Sequence, residues 1–156
     1  MELGSIERTI HVEAPPEVVF DVLTSPAHIT KWCWDVDADV TPQPGAAGEL
    51  VWGDRSSGDA HVARLTVVEA EPPRRFSFRW NDDGGDQPAP GNSLLVTFDL
   101  VPTDGGTTVH LTESGFRERG WETAVLEQHY ADHVQGWDLH FVGGLQQYLQ
   151  RLVAAA

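Results

Sequence analysis

The chain has 156 residues, 40% of them hydrophobic and 22% charged, which fits one globular domain over residues 1–156 and excludes a disordered chain. A formal net charge of −14 sets it against polyanions, so nucleic acid is not an expected partner and neither is an anionic membrane. No apolar run nears the roughly 18 residues that cross a bilayer, Met1-Glu2-Leu3-Gly4-Ser5 lacks a secretory pattern, and the single cysteine, Cys33, cannot close an internal disulfide, so the cytoplasm is the expected compartment.

From the N-terminus, Ile6, Arg8, Ile10 and Val12 alternate with Glu7, Thr9 and His11, which predicts a half-buried strand. Ala14-Pro15-Pro16 ends it, and proline suits a first helical turn. Val18, Val19, Val22 and Leu23 then predict a short helix over 16–24. Ser25-Pro26 breaks that helix, and a second one is expected over 27–31.

The middle reads as all-β, with strands expected at 34–40, 48–53, 60–70, 75–80, 93–101 and 107–114. Their separators carry turn chemistry: Pro44-Gly45, Ser56-Ser57-Gly58-Asp59, Pro72-Pro73, Asp83-Gly84-Gly85-Asp86 and Asp104-Gly105-Gly106. Such short links favour antiparallel neighbours. A Gly- and Pro-rich stretch, 81–92, reads as a long hairpin loop.

A long amphipathic helix is expected from near Trp121. Its stripe comprises Leu126, Tyr130, Val134, Trp137, Phe141, Leu145, Tyr148 and Leu152. His129, His133 and His140 flank that stripe, with Gly136, Gly143 and Gly144 on the same side. Those glycines mark either a kink or close contact with the sheet, or else space left for a ligand.

Together, Pro15 to Pro26 with Trp32, Pro72-Pro73-Arg74-Arg75-Phe76-Ser77-Phe78, Val96-Thr97-Phe98-Asp99-Leu100 with Gly105-Gly106-Thr107, and Gly115-Phe116 with Gly136-Trp137 and Leu145 resemble the START-like (SRPBCC) helix-grip superfamily. They are most similar to its bacterial branch homologous to the activator of the heat-shock chaperone ATPase. One lysine against nine arginines also suggests a high-GC bacterial genome. The resemblance implies an α+β helix-grip fold: a seven-stranded antiparallel sheet wrapped around a long C-terminal helix, with two short helices after the first strand. It also implies a cavity for lipids, polyketides or other apolar molecules. It implies no single activity, because members include binders, cyclases, hydrolases and co-chaperone domains.

Strand alternation turns Trp52, Phe78, Trp80 and Phe98 inward. With His133, Trp137, His140 and Phe141 of the helix they are the expected lining of a ligand cavity, and the same aromatics would equally fill a core. His61 and Glu113 are polar exceptions on otherwise apolar strand faces. A buried carboxylate or imidazole needs a partner, so His61, Glu113 and His140 are the candidates for acid–base or ligand-anchoring roles. The bland alternative sets them at sheet ends or against Arg64 or Arg79.

His129 and His133 have a spacing that could serve two metal ligands, but nothing completes a site, so no metal and no cofactor is expected. Between Trp32 and Trp34, Cys33 is expected to be inert. The leading expectation is therefore non-covalent binding of an apolar or aromatic small molecule. A cyclase- or hydrolase-type enzyme using the inward His and Glu residues is the second reading, and no catalytic motif is complete. A chaperone-associated interaction domain is the third, using Trp121 and the acidic segment 118–127. Homodimer formation is left open.

Overall fold

A computed structural model describes residues 4–33, 36–53, 58, 60–82 and 87–154. Strand β1 (Ser5–Val12) is followed by helices α1 (Pro16–Thr24) and α2 (Pro26–Trp32). Six more strands follow: β2 (Asp37–Asp39), β3 (Ala47–Trp52), β4 (His61–Glu71), β5 (Arg75–Asn81), β6 (Leu94–Thr103) and β7 (Gly106–Ser114). They form one seven-stranded sheet in the order β1-β7-β6-β5-β4-β3-β2, and every pairing is antiparallel. The chain is thus α+β in the arrangement the family resemblance implied. Trp34, Asp35, Ser56, Ser57 and the Asp83-Gly84-Gly85-Asp86 turn lie outside the described residues.

Period-two burial explains the strands. On β6, Leu94, Val96, Phe98 and Leu100 are buried, and on β7 Val109, Leu111 and Glu113 are. Alternation of this kind puts one face on the core and the other in water. Strand β4 keeps the rhythm through Ala63, Leu65 and Val67, then its register with β5 shifts between Val67 and Glu69. The extra residue, Val68, is left 41% exposed, as a bulge requires. Both short helices start on a proline in the first turn and lack a side-chain cap. Their apolar faces close one end of the sheet, and the Trp32 indole donates to the Val22 carbonyl at 3.0 Å, joining α1 to α2.

The C-terminal helix differs from the expected uniform amphipath. Helix α3 (Thr123–Trp137) passes into a π-helical segment, Asp138–Leu145, and then into α4 (Gln146–Ala154). Its deeply buried line is Trp137, Phe141, Leu145 and Leu149, whereas Tyr148 and Leu152 are only partly buried. In a uniform α-helix residues four apart drift by about 40° per step. A π turn is wider and sends that drift back, so the four side chains stay aligned toward the sheet. A uniform 3.6-residue period therefore selected Tyr148 where the fold buries Leu149.

Polar contacts fix the helix laterally. The Tyr130 hydroxyl donates to the Ser5 carbonyl at 2.9 Å, Arg8 pairs with Asp138 at 2.7 Å, and Tyr148 meets His28 of α2 at 2.6 Å. The sheet, the two short helices and this long helix enclose the core.

Candidate functional site

Strands β3 to β6, helices α1 and α2, and the cavity-facing side of α3 and the π segment leave a space of about 350 Å³ between them. That lies toward the small end of the ~300–1,000 Å³ typical of ligand pockets. The two short helices contribute Leu23, Ile29 and Trp32 to its lining. Phe78, Trp80, Phe98 and Trp137 form its walls. The mouth is polar and carries His61, Asp82 and Asp132. His61 is an end residue of β4, with a side chain 58% exposed, and it pairs with Asp82 at 3.1 Å. The cavity therefore opens to solvent on this side.

Glu113 organises the inner wall. It is 0% exposed. Its Oε2 accepts from the Trp80 indole N–H at 2.7 Å. Its Oε1 accepts from the Trp137 indole at 2.8 Å and shares a 2.8 Å bond with His133 Nδ1. An indole nitrogen only donates, so both carboxyl oxygens must act as acceptors. Burying this group would be costly without such partners. Both indole N–H groups are consequently turned away toward Glu113, and the two rings stand 5.7 Å apart at 32°. Glu113 does not itself line the cavity: the pattern placed it on the inward face, and tertiary packing has put the two tryptophans in front of it.

His133 is held on three sides. Its ring meets Trp80 edge-on at 5.7 Å and Phe116 at 5.5 Å, while Glu113 holds Nδ1. Burial lowers the pKa of this imidazole, but the Glu113 hydrogen bond and charge, assisted by Asp82 and Asp132, outweigh burial and leave it raised. His140 also lines the cavity, and burial lowers its pKa. Cys33 reaches the cavity too. Burial pushes its thiol up to about 12, with a Trp52 hydrogen bond working the other way.

Of the residues expected to contact a ligand, Trp52, His61, Phe78, Trp80, Phe98, His133, Trp137 and His140 border the cavity. Phe141 does not. It is 0% exposed and packs on Phe98 at 5.9 Å, because the π segment turns it straight into the sheet. Of the three acid–base candidates, Glu113 bonds His133 and His61 pairs with Asp82.

Trp121, expected in a surface patch, is half-buried at the mouth. There it stacks on His129 at 4.0 Å, and the Arg119 guanidinium lies 4.6 Å from its ring. Asp82, Arg119 and Asp132 carried no sequence signal, since they belong to the site only through the folding of separate elements. The glycines divide. A Cβ on Gly136 would meet nothing within 4 Å, whereas one on Gly144 would lie 2.6 Å from the Trp32 carbonyl oxygen. Gly136 leaves space in the cavity, and Gly144 permits close contact with α2. Among the described residues no group of three or more His, Cys, Asp or Glu side chains is placed to hold a metal ion. No described helix is long and apolar enough to cross a membrane.

Residues 13–150 match the family described as Activator of Hsp90 ATPase homolog 1-like protein. No curated protein matches the sequence significantly. Among solved structures, protein MLL2253 of Mesorhizobium loti is 26% identical with a TM-score of 0.75, over 94% of this chain and 97% of that one. PFC0360w of Plasmodium falciparum, described as an HSP90 activator, is 22% identical with a TM-score of 0.68, over 94% and 96%. DynU16, a protein of the dynemicin biosynthetic locus, is 24% identical with a TM-score of 0.70; 94% of this chain aligns with 47% of it. The last two likenesses show the fold alone.

Proposed function

This chain belongs to the Activator of Hsp90 ATPase homolog 1-like family, and from that premise we propose that it binds an apolar or aromatic small molecule in the cavity beneath its C-terminal helix. The observation that carries this reading is a space of about 350 Å³ walled by aromatic side chains and opening at a polar mouth. A few polar groups among apolar walls is the composition that orients a ligand while desolvating it. Two further features support the reading. Gly136 faces open space, and the Trp80 and Trp137 rings are held in place by Glu113 rather than left to close the gap. The similarity to DynU16 adds a biosynthetic-locus relative with the same fold.

Trp52, Trp80 and Trp137 all border the cavity, so intrinsic fluorescence reports its occupancy. Titration with fatty alcohols and polycyclic aromatics is expected to give saturable changes in emission. Gly136→Leu, which pushes a side chain into the open space, is expected to weaken them at least tenfold. Failure of every ligand to saturate, or binding unchanged in Gly136→Leu, removes the reading.

The family description favours a second reading, contact with a chaperone. Stimulation of a purified Hsp90 ATPase by this chain is its test, and no stimulation at saturating concentration counts against it.

A further inference from the structure

On the inner wall of the cavity one imidazole is held in a fixed orientation. Glu113, a carboxylate with no exposure at all, takes Nδ1 of His133 at 2.8 Å. This bond fixes the ring tautomer, because an N–H facing a carboxylate stays on that nitrogen. Trp80 and Phe116 box the ring from the sides. Nε2 is left over. Among the described residues it has no hydrogen-bond partner, while the His133 side chain remains 20% exposed and lines the cavity.

The two tryptophans beside His133 offer a ligand no such contact. The Trp80 and Trp137 N–H groups are spent on Glu113, so these indoles present ring surface. Phe78 and Phe98 add more ring surface, with Phe78 5.5 Å from Trp80 and Phe98 6.2 Å from Trp137. Flat π surfaces favour flat partners beyond what buried area alone gives. Volume limits the size: a cavity of about 150 Å³ holds one benzene ring, so this space suits about two or three fused rings.

We infer that the ligand is a flat aromatic molecule of about two or three fused rings carrying a phenolic hydroxyl at its edge that hydrogen-bonds His133 Nε2. The inference rests on the cavity-binding reading and narrows it. Glu113 is then a positioning residue that orients His133 and both tryptophans without touching the ligand. A phenolic oxygen both donates and accepts, so it satisfies Nε2 in either protonation state of the ring.

The test compares 2-naphthol with 2-methylnaphthalene, which share a skeleton and differ by hydroxyl against methyl, and dodecan-1-ol as a flexible alternative. Each is titrated into the full chain by tryptophan fluorescence. Wild type is expected to prefer 2-naphthol over 2-methylnaphthalene by about tenfold, the size of one buried hydrogen bond. In His133→Asn, whose amide can still donate to Glu113 but lacks Nε2, that preference is expected to vanish. Equal binding of the two naphthalenes by wild type overturns the inference, as does a preference that survives in His133→Asn. Tighter binding of dodecan-1-ol than of 2-naphthol overturns it as well. In these cases the cavity-binding reading stands. Binding of none of the three overturns that reading and this inference together.

Discussion

Glu113 is the residue on which most of the inner wall depends. Three N–H groups converge on one carboxylate that has no contact with water. Removing it leaves donors buried without acceptors, which costs more than the net gain of the bonds themselves. Glu113→Ala is therefore expected to lower stability by about 3–5 kcal/mol in urea denaturation.

His133 makes the matching pH prediction. Its pKa is raised in the folded state above the ordinary value of 6.5. Protonation is thus favoured by folding, so its stabilisation is fully present below that ordinary value and is lost as pH rises through the higher folded one. The stability difference between wild type and His133→Asn should shrink as pH rises from the ordinary value of 6.5 through the higher folded one. A difference that grows with pH would contradict the sign. His140 works in the opposite sense. Its folded pKa is lowered by burial, so its contribution is present above the ordinary value and fades as pH falls through the folded one. The comparison with His133→Asn isolates the first effect.

Among the elements, the C-terminal helix is the one whose details matter most. The π segment between Asp138 and Leu145 makes a single side of the helix serve both the core and the cavity. It aligns Phe141 and Leu145 with the sheet and leaves Gly136 and His140 beside the open space. Two glycines on this helix should respond oppositely to alanine. Gly136→Ala meets no neighbour and replaces a poor helix former, so it should raise stability by up to about 1 kcal/mol. Gly144→Ala puts a methyl against the Trp32 carbonyl oxygen of α2, so it should lower stability by about 1–3 kcal/mol. Thermal denaturation of the pair checks both signs. The sequence showed the glycines on one flank but offered packing and space as alternatives. Space is found at Gly136, and the close contact at Gly144 is with α2 rather than with the sheet, because only the position of α2 relative to the helix tells them apart.

Across the whole molecule, the alternation of apolar and polar residues determined the strands, their inward faces and the two short helices. These follow from backbone geometry, which repeats every two residues in a strand and about every 3.6 in a helix. The same pattern placed Glu113 on an inward face and Trp80 and Trp137 near a cavity. Tertiary structure alone decided what these residues do there. Glu113 lies 33 residues from Trp80 and 20 from His133, and no local rule pairs them. It also decided that His61 stands at the mouth with Asp82 while His133 takes the inner position, and that Phe141 belongs to the core. Periodicity assigns a face to each side chain, but a hydrogen-bond partner or an empty volume exists only once separate elements have been brought against one another.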